Sequence, residues 1–100
     1  MPYRIELAPS AIGHLKGLSS HHRSAVASCL REQLLHEPLR RTRNRKPLRP
    51  NPLAPWVLRV GSLRVYYDVS EEPEPCVTIR AIGVKVRERV LVGGVEVDLS

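Results

Sequence analysis

The sequence predicts a single α+β domain, in which a small, largely antiparallel sheet carries an N-terminal helical hairpin on one face. Apolar residues alternate with polar ones near the start of the chain and again from residue 56 onward, which is the period of strands. Between these regions, two segments carry apolar residues at intervals of three and four, which is the period of helices. The resulting order is β-α-α-β-β-β, and residues 1–100 are treated as one domain.

The first strand and both helices are predicted in the N-terminal part of the chain. Residues 3–7 alternate apolar and charged side chains, which predicts a short half-buried strand. Ser10 follows this strand and is a plausible N-cap of the first helix. The turn between the helices is placed at residues 19–22. The second helix is predicted from about Arg23 to His36, and Pro38 ends it.

The next segment, residues 38–55 (PLRRTRNRKPLRPNPLAP), is strongly basic and rich in proline. Its five prolines exclude a helix or a central strand, and a connection of this length in a small domain is usually functional or disordered. Leu48 and Leu53 are expected to anchor the segment to the core while its charges stay on the surface. Its six cations, with no acid among them, are Arg40, Arg41, Arg43, Arg45, Lys46 and Arg49.

A hairpin is predicted in VLRVGSLRVYYDV, residues 57–69, around the dipeptide Gly61-Ser62. Two turn residues with glycine first suit a type II′ turn. In that register Arg59 lies directly opposite Arg64, and like charges so placed repel by about 0.2–1 kcal/mol. A bound phosphate or carboxylate would remove the repulsion, because guanidinium groups bind such oxygens in pairs. The hairpin therefore predicts an anion site.

A third strand of this sheet is predicted from about Cys76 to Ile82, with Ala81 on the apolar side and Ile82 on the polar side. Alternation then places Arg59, Arg64 and Arg80 in one row across three strands. Near this row, the sequence also places Tyr66, Lys85 and Arg87.

The overall charge favours a polyanionic partner. Sixteen basic and ten acidic residues give a formal charge of +6 and a pI near 10.0. Cys29 and Cys76 show no zinc-ligand spacing and are expected to be reduced thiols, and no metal or cofactor is expected. The N-terminus lacks the pattern of a signal peptide, and no apolar stretch has the length of a membrane helix. We interpret the protein as cytoplasmic.

Two segments, LRVGSLRVYY and IRAIGVKVRERV, together with the strand, the helical hairpin and the basic connection, resemble the RelE/ParE superfamily of bacterial toxins from type II toxin–antitoxin systems. The resemblance covers nearly the whole chain and implies a cognate acidic antitoxin as partner. RelE-like members enter the ribosome and cleave mRNA, whereas ParE-like members inhibit DNA gyrase. The resemblance favours a ribosome-dependent mRNA endonuclease. The alternatives are a gyrase inhibitor or a non-catalytic basic binding module of the same fold.

Within the nuclease branch, the resemblance implies specific roles for several cations. Arg64 falls on a catalytic arginine, and Arg59 falls on a basic position of the preceding strand. Lys85 or Arg87 falls near a second catalytic arginine. Contacts to RNA are then expected from the six cations of residues 38–55, together with Arg80 and Tyr66.

The chain also departs from the RelE pattern. RelE carries lysines where this chain has Pro55 and Val57, and a tyrosine where this chain has Leu91. Arginine is a poor proton acceptor because it stays charged. The acid or base candidates are therefore Lys46, Lys85, Tyr66 and Glu88.

Overall fold

The computed structural model describes residues 2–97, and in these residues it contains one seven-stranded sheet and two α-helices. The sheet order is β2-β3-β4-β5-β6-β7, with antiparallel neighbours, and β1 pairs with β5 in parallel. The predicted α+β class is confirmed, with more strands than the sequence indicated. The elements are β1 (Arg4–Leu7), α1 (Pro9–Lys16), α2 (Ser20–Cys29), β2 (Arg45–Pro47), β3 (Trp56–Val60), β4 (Leu63–Ser70), β5 (Cys76–Val86), β6 (Arg89–Val92) and β7 (Val95–Val97).

The two helices pack on one face of the sheet and form the main core with it. A single π-helical turn, Leu30–Leu34, extends α2. Helix α2 begins three residues earlier than predicted, because Ser19 caps it by accepting a hydrogen bond from the His22 backbone N–H at 3.1 Å. The buried apolar residues of this core are Ala11, Val26, Leu30, Leu34, Leu58, Leu63, Val65, Tyr67, Val77, Ile79 and Ile82.

Helix α1 fills a gap in the edge of the sheet. Strand β5 pairs with β1 as far as Ile79 and with β6 only from Gly83, so the residues between them lack a strand neighbour on that side. Ser10 donates its hydroxyl to the Arg80 carbonyl at 2.8 Å. The predicted role of Ser10 as N-cap is wrong, because α1 begins at Pro9, and proline suits the first position of a helix.

The hairpin register is confirmed pair by pair. Val60 pairs with Leu63, and Arg59 pairs with Arg64. Gly61 has a φ of +60°, whereas Ser62 does not have a positive φ, as a type II′ turn requires. The helix-facing side of the hairpin is apolar, as alternation predicts.

A bulge between β4 and β5 reverses the predicted faces at the end of the third strand. Tyr66 pairs with Ala81, but the next residue, Tyr67, pairs with Ile79, so Arg80 is the extra residue. One extra residue shifts the alternation by one position. Ala81 therefore lies on the face of Tyr66, and Ile82 lies in the main core, opposite to the prediction.

Strand β5 is longer than predicted and continues to Val86. Gly83, just beyond the predicted strand end at Ile82, lies inside β5 and packs closely against β6. A two-residue turn at 87–88 then leads into β6, with Arg87 at a φ of +58°. A second such turn at residues 93–94 joins β6 to β7.

The face of the sheet opposite the helices carries a second apolar cluster. The segment 48–55 lies over it, and Leu48 and Leu53 pack against it as predicted. Its buried members are Ala54, Val57, Tyr66, Ala81 and Val92. Within residues 2–97, no helix is long and apolar enough to cross a membrane.

Candidate functional site

Four cations on four adjacent strands share the face opposite the helices, and we call them the basic band: Lys46, Arg59, Arg64 and Lys85. Lys46 on β2 pairs with Val57 on β3, two residues before Arg59. Arg59 pairs with Arg64 on β4, and Arg64 pairs with Gly83 on β5, two residues before Lys85. Strand spacing and rise place neighbouring members about 5–8 Å apart at Cα and give the band a length of roughly 20 Å. The sequence-predicted Arg59, Arg64 and Lys85 thus come together on one face.

Arg64 is the most enclosed member of the band, with 8% of its surface exposed. Its Nη1 donates to the main-chain carbonyls of Gly61 and Leu63, each at 2.8 Å. These two bonds fold the guanidinium back over the hairpin turn and fix its plane. The Nη2 and Nε groups have no acceptor within residues 2–97, so the orientation leaves donors for a ligand.

The surroundings of Arg64 disfavour its charge. Burial lowers the pKa of its guanidinium, and the neighbouring charge of Arg59 lowers it further. No carboxylate of residues 2–97 forms a salt bridge with either arginine. Buried charges in proteins are ordinarily paired, because desolvation without compensation is costly. An anion bound between the two arginines would supply that compensation.

Several other predicted cations lie around the band. Arg59 donates its backbone N–H to the Asn44 carbonyl at 2.8 Å, which places Arg43 at the same end of the sheet as the hairpin turn. Arg87 is exposed in the turn that follows β5, near Lys85. Within residues 2–97, no salt bridge is formed by Arg41, Arg43, Lys46, Arg49, Lys85 or Arg87.

Acidic residues lie at the other end of the sheet. Glu74 pairs with Arg4 at 2.8 Å, and Glu71 accepts a hydrogen bond from the Tyr3 hydroxyl at 2.6 Å, both near the turn between β4 and β5. Arg40, predicted to bind RNA, forms an exposed pair with Glu37 at 3.0 Å. Glu88, in the turn at residues 87–88, is an acidic residue at the hairpin-turn end, where Arg64, Lys85 and Arg87 outnumber it and leave an excess of positive charge.

Arg80 does not join the row of arginines, contrary to prediction. The bulge displaces it, and the position opposite Arg64 on β5 is occupied by Gly83. Arg80 instead lies near Asp68, with Nη2 and Oδ2 separated by 3.5 Å.

Arg45 is buried, contrary to the expectation that every charge of its segment stays on the surface. It retains 7% exposure, and its Nη1 donates to the carbonyls of Gln33 and Glu37, the latter at 2.6 Å. Alternation along β2 points Arg45 toward the helices and Lys46 toward the basic band. Arg45 therefore anchors the end of the helical region. Its side chain is too enclosed to contact RNA, contrary to the prediction.

Tyr66, expected to contact RNA, is also enclosed. Its exposure is 1%, because the segment 48–55 and the ends of β5 and β6 cover its ring. Burial raises the pKa of its hydroxyl, and the charge of Arg64 partly opposes this. Its ring is therefore closed to stacking with a base.

A cavity of about 860 Å³ opens beside the band on the same face. The sequence did not indicate it, although Ser10 and His14, four residues apart on α1, form part of its wall. The cavity lies between the first turns of α1, the segment 48–55 and the bulge of β5, and Asp68 and Arg80 stand at its polar side. Within residues 2–97, no group of three His, Cys, Asp or Glu residues could hold a metal ion.

Comparison with solved structures identifies the fold. The crystal structure of the toxin–antitoxin complex RelBE2 from Mycobacterium tuberculosis contains a similar chain, with 27% identity and a TM-score of 0.72 over 85% of this chain and 100% of that one. The chain has the fold of a RelE-type toxin. No family model matches the sequence, and no curated protein matches it in a sequence comparison.

The structure shows what occupies the RelE positions at which this toxin departs from the pattern. Val57 lies in the second apolar cluster, directly opposite Lys46 on β2, so a lysine reaches this region from the neighbouring strand. Leu91 pairs with Val84, whose side chain packs against the main core, so Leu91 faces away from the band. Of the four acid or base candidates, Lys46 and Lys85 lie on the band, Tyr66 is buried, and Glu88 lies in the exposed turn at residues 87–88.

Proposed function

We propose that this RelE/ParE toxin is a ribosome-dependent mRNA endonuclease that inhibits translation. The observation that supports this most directly is Arg64, a guanidinium that is 8% exposed, fixed by two carbonyls and lying opposite Arg59. A site of this kind suits a phosphate whose negative charge increases during reaction.

The proposed reaction is attack of a ribose 2′-hydroxyl on the adjacent phosphorus, with departure of the 5′-oxygen. Arg64 stabilises the charge on the pentacoordinate phosphorus, and such a donor typically contributes about 10²–10³ in rate. The proton leaving the 2′-hydroxyl needs an acceptor and the departing 5′-oxygen needs a proton donor, and arginine is unsuited to either task because it stays charged. Lys46 and Lys85, at the two ends of the band, are the exposed titratable groups on it. The ribosome would align the mRNA over the band and so position the 2′-hydroxyl for attack on the phosphorus.

The proposed partner that silences the toxin is an acidic antitoxin. The similar crystal structure is that of a toxin–antitoxin complex. In this chain the basic band is a row of positive charges. No acidic side chain of residues 2–97 forms a salt bridge with any of its four members. Charge complementarity of this kind accelerates association with an acidic segment and fixes its orientation. Binding there would also cover the proposed catalytic face.

The function is tested by adding the purified toxin to a translation reaction and mapping mRNA ends by primer extension. We expect cuts only when ribosomes translate the message, and no cuts in free RNA. Arg64→Ala should lower the cleavage rate about 100- to 1,000-fold. Arg31→Ala, which removes an exposed arginine from the helical region, is the matched control and should cleave like the parent. Absence of cleavage by the parent would refute the proposal.

Gyrase inhibition is the second candidate, because Pro55, Val57 and Leu91 replace the RelE lysines and tyrosine. A supercoiling assay with purified gyrase distinguishes the two: loss of supercoiling or double-strand breaks, with intact mRNA, would favour gyrase. Absence of any growth effect on expression alone would favour a non-catalytic binding module.

A further inference from the structure

We propose that the cavity beside the basic band is a pocket for a guanine base, which Asp68 and Arg80 recognise. This inference rests on the proposed action on RNA and extends it to base preference. The volume of about 860 Å³ lies within the range of roughly 300–1,000 Å³ that is usual for small-molecule sites.

The walls of the cavity are held in place by side-chain hydrogen bonds. In the segment 48–55, the Asn51 amide donates to the Arg49 and Ala54 carbonyls, and its oxygen accepts from the Leu53 and Ala54 backbone N–H groups at 2.8 and 3.1 Å. The side chain thus stiffens the whole loop from within. A pocket formed in advance loses little entropy on binding.

The α1 side of the cavity is equally constrained. Ser10 donates to the Arg80 carbonyl at 2.8 Å, and His14 Nδ1 accepts from the Ile82 backbone N–H at 3.2 Å. These bonds attach α1 to both ends of the bulge and fix the backbone of Arg80. Apolar groups, Ala81 and Val92 among them, provide a surface on which a base ring can lie.

Asp68 and Arg80 offer complementary polar groups at one side of this surface. Asp68 Oδ1 accepts from the Val69 backbone N–H at 2.8 Å, which orients the carboxylate. Its Oδ2 lies 3.5 Å from Arg80 Nη2, and the two side chains are 43% and 50% exposed. At this separation the pair is loose, and both groups keep hydrogen-bonding capacity for a ligand.

Guanine is the base that matches this pair. Its O6 and N7 accept hydrogen bonds, for which an arginine fork is the usual partner, and its N1–H and N2–H₂ groups donate to a carboxylate. Adenine would place its amino group against the guanidinium, and a pyrimidine lacks the N7 acceptor. The carboxylate of Asp68, as acceptor, and the neighbouring guanidinium of Arg80, as donor, therefore select guanine.

The cavity is placed to receive a base from a strand whose phosphate lies at Arg64. Asp68 lies on the same face of β4 as Arg64, four residues further along the strand, so about 13 Å separates their Cα atoms. Tyr66 and Ala81 close the space between, on the same face. A strand whose phosphate lies at Arg64 can thus place a base of the same or an adjacent nucleotide in the cavity.

The test compares Asp68→Asn with Glu74→Gln, which alters a similarly exposed ion pair far from the cavity. In ribosome-dependent cleavage, we expect the parent and Glu74→Gln to favour a guanine at one fixed position relative to the cut. Asp68→Asn should reduce this preference about 5- to 150-fold, the effect of losing one bidentate base contact.

A binding measurement separates failure of this inference from failure of the proposed function. In NMR titrations, guanosine monophosphate should shift the backbone amide signals of Asn51, Leu53, Ala54 and Arg80 at lower concentration than adenosine monophosphate does. Equal shifts by both nucleotides, no shifts, or an unchanged cut-site preference in Asp68→Asn would overturn the guanine pocket while leaving endonuclease activity in place. If the parent cuts no mRNA, the proposed function fails, whatever the titration shows. Weaker antitoxin binding by Asp68→Asn with unchanged cut sites would assign the cavity to the antitoxin instead.

Discussion

Arg59 and Arg64 lie directly opposite each other on β3 and β4, on the face of the sheet that carries no helix. Neither forms a salt bridge within residues 2–97, and the charge of Arg59 helps to lower the pKa of Arg64. The pair therefore costs stability in the free protein, and we expect a bound anion to compensate that cost. Functional sites commonly retain such unfavourable arrangements.

The first prediction is that Arg59→Ala stabilises the free protein. Removing one charge relieves a cross-strand repulsion of about 0.2–1 kcal/mol. Arg59→Glu should stabilise at least as much, because it turns repulsion into attraction. Urea unfolding measures the change, with Arg31→Ala as the control for loss of an exposed arginine. Both Arg59 variants should nevertheless lose mRNA cleavage, and a destabilised Arg59→Ala would argue against repulsion between the two side chains.

The second prediction separates Arg45 from Lys46, which are adjacent in sequence but point to opposite faces. Arg45→Ala leaves the Gln33 and Glu37 carbonyls without their buried donor and should cost about 1–3 kcal/mol of unfolding free energy. Lys46→Ala should change stability by less than about 0.5 kcal/mol, as exposed substitutions usually do. It should instead lower the slope of RNA affinity against salt by about one unit. Equal effects of the two substitutions on unfolding would contradict the opposed orientations.

The hairpin was predictable because its determinants are local. A two-residue turn beginning with glycine sets the register, and the register then fixes which residues share a face. The juxtaposition of Arg59 and Arg64 follows from those two steps alone. Lys85 was placed near them because it follows the predicted third strand, and that strand proved long enough to include it.

The remaining parts of the site depend on tertiary contacts that the sequence does not mark. The bulge at Arg80 is supported by Ser10 and His14 from α1, across almost 70 positions of chain, and one extra residue moved Arg80 out of the arginine row. Nothing in the sequence around Arg45 distinguishes it from the other five cations of residues 38–55. Its burial depends on a short edge strand, ended by Pro47, that brings it under the end of the helical region.

The third prediction concerns two glycines with opposite surroundings. A Cβ on Gly83 would lie 2.9 Å from methyl groups of Val90 and Val92 and 3.1 Å from the Leu91 carbonyl oxygen. Gly83→Ala should therefore destabilise by about 1–3 kcal/mol, as overpacking does. A Cβ on Gly13, inside α1, would meet nothing within 4 Å, and Gly13→Ala should stabilise by about 0.5–1 kcal/mol. The midpoints of thermal unfolding of the two variants should shift in opposite directions. An unchanged midpoint in Gly83→Ala would show that β6 moves away to admit the Cβ.

The fourth prediction is a loss of stability at alkaline pH that depends on Tyr67. Burial raises the pKa of its hydroxyl above the ordinary value of 10.0, and the hydroxyl donates to the Pro38 carbonyl at 2.6 Å. Above the ordinary pKa the unfolded chain releases this proton while the folded chain retains it, so the unfolded state binds fewer protons and stability falls as pH rises.

The contribution of Tyr67 is fully present below about pH 10 and is lost as pH rises toward the raised pKa, with a slope of up to about 1.4 kcal/mol per pH unit. Urea unfolding between neutral and strongly alkaline pH measures the slope. Tyr67→Phe should be less stable at neutral pH by about 0.5–1.5 kcal/mol, because the hydrogen bond is lost. Its alkaline slope should also be shallower, because one buried ionisable group is gone. Tyr3→Phe is the control at a partly exposed site, where a hydrogen bond to Glu71 is the main cause that raises the pKa, and it should flatten the slope less. An equal flattening in both variants would show that burial of Tyr67 is not the cause.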